Sequence, residues 1–230
     1  MPTAIVTGAS RGLGLSLARE LAGRGWSLVV DARGAEALEA ARLELARCTT
    51  VVAVAGDVAE EAHVRRLVEE AGRLGGGRLA VLVNNASLLG PSPQPPLARY
   101  PLDVLAEVYR VNVLGPLRLT QLALPLLAAA GGRILNVTSD AAVEPYEGWG
   151  GYGSSKAALD QLSAVLAVEH PELRVYAVDP GDMRTQMHQE AFPGEDISDR
   201  PPPEQSVPGL LHLIEGDEKS GRYSARALGA

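Results

Sequence analysis

Cysteine is almost missing from this chain: Cys48 is the only one in 230 residues. That excludes an internal disulfide and any cysteine-based metal site. Histidine is sparse too, and His63, His170, His188 and His212 fall at no metal-ligand spacing; His188 reads as a surface residue. Positive charge is in deficit, 21 Lys and Arg against 28 Asp and Glu, for a net charge of -7. An acidic chain is poorly suited to nucleic acid or an anionic membrane, so neither is expected as a partner. Long apolar runs are absent as well. The longest, Leu117 to Ala130, is interrupted by Arg118, Thr120, Gln121 and Pro125, short of the roughly 20 apolar residues that span a bilayer. Met1 to Thr7 lacks the basic start of a secretory leader and runs straight into glycines. The expectation is a cytoplasmic protein.

What is present is a well-supplied core: 46% of residues are hydrophobic and 21% charged, ordinary for a globular protein. The length suits one domain over residues 1–230. Short apolar runs alternate with helical patterns. Ala4–Thr7 reads as a strand, followed by a helix from Leu15 to Gly23. Strands are expected at Trp26–Asp31, Thr50–Ala55, Leu79–Val83, Arg133–Thr138, Leu173–Val178 and Arg222–Ser224. Helices are expected at Ala35–Arg47, Glu60–Ala71, Leu102–Ala129, Gln205–Glu215 and from Tyr152 to Glu169. In the long helix, Gly115-Pro116 and Pro125 are the expected kinks. Residues 184–204 are polar and proline-rich and read as a mobile loop over a substrate. Regular strand–helix alternation implies parallel β/α units in one open sheet.

The first strand leads into Gly8-Ala9-Ser10-Arg11-Gly12-Leu13-Gly14 and then a helix. In that context the glycines have physical work: Gly8 turns tightly, Gly12 leaves room for a pyrophosphate, and Gly14 lets helix and strand approach. The helix N-terminus then offers unpaired N–H groups to an anion. Ligands of an open parallel sheet gather beyond the carboxyl ends of its strands. Those ends here are the glycine loop, Asp31-Ala32-Arg33, Asp57, Asn84 to Ser87, Ser139 and Pro180-Gly181. Tyr152 and Lys156 stand four residues apart at a helix start just beyond one of them. A helix turns about 100° per residue, so they share a face. An ammonium beside a phenol favours the phenolate, and the tyrosine pKa is expected to fall toward neutrality.

These residues together resemble the short-chain dehydrogenase/reductase family, over nearly the whole chain. Thr7-Gly8-x-x-x-Gly12-x-Gly14 is similar to its cofactor loop. Asn84-Asn85-Ala86 is similar to its motif after the fourth strand, with Ser87 where glycine is usual. Asn112, Ser139, Tyr152 and Lys156 match its catalytic tetrad, and Pro180-Gly181-x-x-x-Thr185 its nicotinamide-holding segment. The resemblance implies a Rossmann-type, doubly wound α/β fold: about seven parallel strands, order 3-2-1-4-5-6-7, with helices on both faces. It also implies an oxidoreductase moving hydride between a nicotinamide cofactor and a small carbonyl or alcohol.

By that resemblance Tyr152 is the proton donor in carbonyl reduction, and Ser139 polarises the same oxygen. Lys156 lowers the tyrosine pKa and binds the ribose, and Asn112 holds a water behind Lys156. The implied cofactor contacts are Gly8, Ser10, Arg11, Gly12, Leu13, Gly14, Asp57 and Val58 at the adenine, Asn84, Asn85, Ala86, Tyr152, Lys156, Pro180, Gly181, Met183, and Thr185 at the carboxamide. Enoyl reductases of this fold resemble a Tyr-x6-Lys pattern; here Trp149 occupies that place, which favours carbonyl chemistry.

NAD-using relatives place an acid eighteen residues after the last loop glycine. That position is Ala32, with Arg33 next and Asp31 one place early. An arginine suits the extra 2′-phosphate, so NADP(H) is expected over NAD(H), with Arg33 and Arg11 as cations. Asp31 then faces the other side of the sheet as a structural residue or a partner restraining an arginine. Leu88, Leu89, Asp140, Glu144, Tyr146, Trp149, Met183, Met187 and Phe192 are the expected pocket neighbours. They suit a compact aromatic or diketone-like substrate, with Asp140 and Glu144 as solvated loop charges. The C-terminal part resembles the sepiapterin/benzil reductase branch. The competing reading is a redox sensor of the same fold that binds NADP(H) without turnover. Apolar content beyond one stripe on the helices Leu102–Ala129 and Gly153–Glu169 implies a homodimer or homotetramer.

Overall fold

The computed structural model describes residues 1–229. Its frame is a seven-stranded sheet in the order β3-β2-β1-β4-β5-β6-β7, formed by β1 (Thr3–Val6), β2 (Ser27–Ala32), β3 (Val51–Ala55), β4 (Val81–Asn84), β5 (Arg133–Val137), β6 (Arg174–Asp179) and β7 (Gly221–Ser224). Every neighbouring pair is parallel, so all carboxyl ends emerge along one edge. The order reverses between β1 and β4, and ligands of such sheets enter the crevice at that reversal.

The helices are α1 (Gly12–Gly23), α2 (Ala35–Leu45), α3 (Glu61–Leu74), α4 (Leu102–Tyr109), α5 (Gly115–Ala130), α6 (Gly150–Glu169), α7 (Gln186–Ala191), α8 (Val207–Glu215) and α9 (Ala225–Leu228). Successive strand residues face opposite sides. Ala4 and Val6 of β1 therefore pack with Leu17 and Leu21 of α1 and Leu210 and Leu213 of α8. Ile5 faces the other way, onto Leu67 of α3 and Leu119, Ala123 and Leu127 of α5. Each aliphatic side chain buried this fully contributes roughly 1.5–3 kcal/mol relative to exposure. The strands are apolar on both faces because helices cover both.

The expected long helix is broken at one of its two expected places, against Gly115-Pro116, and not at the other. A π-helical turn, Arg110–Leu114, separates α4 from α5, whereas Pro125 lies inside α5. Gly115 follows that turn because a Cβ there would lie 2.8 Å from the Val58 carbonyl oxygen; the helix passes against the turn after β3. By length and composition alone the tract Leu102–Ala130 could cross a membrane, but Leu119, Ala123 and Leu127 on it are core residues of this fold. Residues 184–204, expected as a loop, include the short helix α7, capped by the Thr185 hydroxyl. The C-terminal helix starts at Val207 after a 3-10 turn over Pro203–Ser206, and α9 is an element the sequence pattern did not announce.

Candidate active site

The glycine loop leaves β1 with Gly8 at φ 65° and reaches Gly12 at φ 56°, a region other residues avoid. Two neighbours clamp it. The Asn85 amide donates to the carbonyls of Thr7 (2.8 Å) and Gly8 (3.2 Å), and the Gly8 N–H donates to Asp31 Oδ1 at 2.7 Å. A Cβ on Gly14 would sit 2.5 Å from the Gly8 carbonyl oxygen. Above Gly12 there is room: a Cβ there would meet nothing closer than Thr185 Cγ2 at 3.7 Å. Arg11, the residue before α1, is extended and provides no side-chain cap, so first-turn N–H groups are left for an anion. Open space over a glycine, facing uncapped helix donors, fits a dinucleotide pyrophosphate.

At the end of β2 Asp31 is buried, but its partner is not an arginine. Its second oxygen lies 2.9 Å from Nε2 of His63, itself buried on α3. Of the two expected readings of Asp31, the structural residue holds and the restrained arginine does not: the nearest donors across the sheet end come from the glycine loop and α3. Burial raises the Asp31 pKa, against the lowering effects of His63 and the Gly8 N–H. Arg33 is exposed two residues on. The Arg11 guanidinium reaches across the loop to the Gln186 side chain of α7. Asp57 accepts from the Ala59 N–H at 2.8 Å, which shapes its turn, and Val58 is buried beside it.

After β4, the Thr7 hydroxyl accepts from the N–H groups of Asn85 (2.9 Å) and Ala86 (3.0 Å). Asn84 is not brought to the loop. Its amide donates to Asn136 at 2.7 Å, and Asn136 donates to Ser163 at 2.8 Å, a buried polar chain beneath α5 and α6. Strand alternation sends the Asn84 side chain to one face and Asn85 to the loop, so any cofactor contact of Asn84 falls to its backbone.

The tetrad residues converge on the carboxyl ends of β4 and β5. Asn112 is fully buried in the π-helical turn. Its carbonyl accepts from the Leu88 N–H (2.7 Å) and the Ser87 hydroxyl (3.1 Å), and its amide donates to the Leu88 carbonyl (2.9 Å) and the Ser155 hydroxyl (2.9 Å). A π-turn frees backbone positions and reorients side chains, and this one hands Asn112 to the loop after β4. Ser139 lies two residues past β5 and donates to Asp140 at 2.8 Å. Asp140 also accepts from Tyr146 at 2.9 Å, so the expectation that it is a free solvated charge is corrected; Glu144 is exposed.

Tyr152 and Lys156 share a face of α6, with Lys156 Nζ 5.5 Å from the Tyr152 ring centroid. The expected fall of the tyrosine pKa is not found. Burial pushes the phenol well above its ordinary value, Asp179 and Asp140 push it further, and the Ser87 hydroxyl opposes them. Lys156 meanwhile donates to the Val137 carbonyl at 2.8 Å, and burial lowers its own pKa to about 8. The ammonium lies over the ring and is bound to backbone, so desolvation outweighs its pull on the phenol.

Tyr152 and Ser139 line one cleft with Asp140, Trp149, Gly181 and Met183. Leu89 and Met187 join them, as expected, whereas Leu88, Glu144, Tyr146 and Phe192 do not line it; Thr185 does, with its hydroxyl engaged as the α7 cap, accepting from the His188 N–H. Trp149 meets Tyr152 edge-on, with centroids 5.8 Å apart, and Phe192 at 5.8 Å. His188 is the residue misjudged from sequence. Its side chain is only 10% exposed and lines the cleft. Its place three residues after the Thr185 cap was the available signal, since the first turn of α7 faces the site. Asp179 and Asp182 also line the cleft. Burial raises the Asp179 pKa. Thr7, Ser87 and His63 are further site neighbours that motif spacing alone passed over.

An open parallel sheet with a glycine-loop anion site, meeting a buried tyrosine–lysine pair across one crevice, defines a nicotinamide-dinucleotide oxidoreductase of Rossmann type. The comparisons agree. Residues 2–196 match the family described as short chain dehydrogenase. Sepiapterin reductase of Mus musculus is 36% identical over 197 residues, 80% of this chain and 76% of that protein. The (S)-benzoin-forming benzil reductase of Saccharomyces cerevisiae is 33% identical over 194 residues, 81% and 73% of the two chains. An alcohol dehydrogenase from Thermococcus sibiricus, solved with 5-hydroxy-NADP, superposes with a TM-score of 0.88 at 28% identity, over 100% of this chain and 98% of that one. This chain belongs to the short-chain dehydrogenase/reductase family, near the sepiapterin and benzil reductases, and is an NAD(P)-dependent oxidoreductase of the class acting on CH–OH groups.

Proposed function

We propose that the protein is a cytoplasmic NADPH-dependent carbonyl reductase, one domain over residues 1–230 working as a homo-oligomer. The observation that carries this reading is the convergence of Tyr152 and Ser139 on one cleft with a buried lysine against the tyrosine ring. The cofactor, when bound, supplies the hydride. Gly8, Ser10, Arg11, Gly12, Leu13 and Gly14 hold its pyrophosphate side; Asp57 and Val58 hold the adenine. Asn85 and Ala86, with Tyr152 and Lys156, hold the ribose. Pro180, Gly181, Met183 and Thr185 hold the nicotinamide.

Tyr152 gives its proton to the substrate carbonyl oxygen as the carbonyl carbon is reduced. A phenol whose pKa is raised enters the reaction protonated, as a donor must. Ser139 turns its hydroxyl from Asp140 to the same oxygen and polarises it. Lys156 stabilises the phenolate left after proton loss. Asn112, fully hydrogen-bonded, fixes the Leu88 backbone and Ser155 beside them. Trp149, Leu89, Met183 and Met187 give the cleft an apolar wall for an aromatic ketone or diketone. NADP(H) is favoured over NAD(H) because both Asp31 oxygens are engaged within the protein and Arg33 is exposed at the strand end.

The test follows nicotinamide absorbance with a panel of aromatic ketones and diketones. NADPH should support reduction with at least about tenfold higher kcat/KM than NADH, a difference of roughly 1.4 kcal/mol. Tyr152→Phe should lower kcat by about 10²–10⁴-fold while NADPH still binds. Turnover retained in Tyr152→Phe, or equal efficiency with both cofactors, would refute the corresponding part.

A further inference from the structure

The buried pair Asp31–His63 takes no part in the chemistry proposed above, yet both side chains are closed off from solvent. Asp31 is 1% exposed and His63 8%. A buried carboxylate persists only where its lone pairs are satisfied, and this one is bound on both oxygens, at 2.7 Å by the Gly8 N–H and at 2.9 Å by His63 Nε2. The backbone of the same strand end continues the tie, for the Ala9 N–H donates to the Asp31 carbonyl at 2.9 Å. The first two residues of the glycine loop are therefore held by a single residue of β2.

His63 extends the tie in another direction. Its ring fills the space over Gly56, where a Cβ would lie 2.2 Å from Nδ1. Gly56 opens the Gly56-Asp57-Val58 turn after β3, and its N–H donates to the Ala32 carbonyl at 3.0 Å. One imidazole thus touches the acid beneath the glycine loop and the turn assigned to the adenine, while Arg33 stands two residues beyond Asp31. The two places that would hold pyrophosphate and adenine share this support, and Arg33 follows from the same strand end.

We infer that Asp31 and His63 form a positioning pair for the adenosine-phosphate half of the cofactor, with His63 keyed into Gly56. The inference rests on the NADP(H) reading above. Neither side chain touches substrate or the reacting atoms. Both act by fixing the φ of Gly8, the direction of the loop N–H groups and the spacing between loop and turn. Preorganisation of this kind improves affinity by removing the cost of ordering the loop on binding. It leaves the tyrosine side of the crevice untouched, so its loss belongs in cofactor affinity rather than in turnover.

The experiment titrates NADPH into the full-length protein, reading tryptophan fluorescence, alongside steady-state kinetics and thermal denaturation. His63→Leu removes the donor to Asp31. His63→Gln keeps a donor at about the same reach. Gly56→Ala displaces the ring without altering charge. His63→Leu and Gly56→Ala should each raise the Kd and KM for NADPH about tenfold or more, with kcat at saturating NADPH and the ketone KM within twofold; His63→Gln should restore Kd to within about threefold of wild type. A purely structural role would instead lower the melting temperature and the active fraction without this split, and that result overturns the inference. Should His63→Leu not fold, Gly56→Ala against His63→Gln decides the matter, and equal NADPH affinity in both overturns it. Wild-type protein that binds neither NADPH nor NADH refutes the proposed function itself; wild-type binding with unchanged variants refutes only the pair's role.

Discussion

Tyr152 and Lys156 show burial working on two titratable groups in opposite senses. Both are nearly closed to solvent, so each is driven toward its neutral form: the phenol upward and the ammonium down to about 8. For the protein without cofactor this has a consequence for stability. Between pH 8 and the ordinary lysine value of 10.5 the unfolded chain keeps a proton that folded Lys156 has released, so stability rises with pH there. Above the ordinary tyrosine value of 10.0 the folded state keeps a proton that the unfolded chain has lost, so Tyr152 makes stability fall. Lys156→Met should flatten the rising limb of unfolding free energy against pH, and Tyr152→Phe the falling limb. Urea titrations across pH 7–11 test this; limbs unchanged in both variants would show that other groups set them. Ser87, at the position where the resembled motif has glycine, is the other local departure. Its hydroxyl is spent on Asn112 and on easing the phenol, which ties the unusual residue to the tetrad.

At the scale of elements, the strand–loop–helix unit β1–α1 is held by contacts with no slack. The Gly14 Cα approaches the Gly8 carbonyl and the Asn85 amide so closely that an added Cβ would lie 2.5 and 2.6 Å from them. Both neighbours are fixed, one as backbone and the other by its bonds to Thr7 and Gly8. Gly14→Ala should therefore cost about 1–3 kcal/mol of stability by overpacking and weaken NADPH binding. Denaturant unfolding and cofactor titration read both, and a variant as stable as wild type would mean that α1 shifts freely. The α4–α5 tract teaches a different lesson. Gly115-Pro116 marked where it breaks, but not that the break is a π-turn over Arg110–Leu114 carrying Asn112, which bonds Leu88 and Ser155. Helix propensity does not encode a partner that lies more than twenty residues away in the chain.

For the whole molecule, the apolar surface left over is telling. Leu102 (76% exposed) opens α4, Leu114 (56%) ends the π-turn after it, and Val165 (41%) and Val168 (81%) lie on α6. These are the helices whose apolar content exceeded one buried stripe. Exposed aliphatic groups on two neighbouring helices favour self-association, and a homodimer or homotetramer is the expected state. Light scattering at working concentration should give a mass of two or four chains, and Val168→Glu should shift it downward; a monomeric wild type would sink the expectation.

Alternation of apolar runs with helical patterns sufficed to establish the sheet's class, and the glycine spacing with Tyr152, Lys156, Ser139 and Asn112 sufficed to mark the crevice, because those signals are local: each lies within one β/α unit. Expected strand limits fall within a few residues of the observed ones for the same reason. What the fold alone decided were the long-range pairings. Asp31 meets His63 rather than an arginine, Asn84 turns to Asn136, and His188 enters the cleft through the cap of α7. Tyr152 is held neutral by burial that no spacing rule reports. Periodicity says which face of an element is apolar; which polar group waits on the other side is set only when distant segments pack, and in the interior the cost of desolvation then decides the charge.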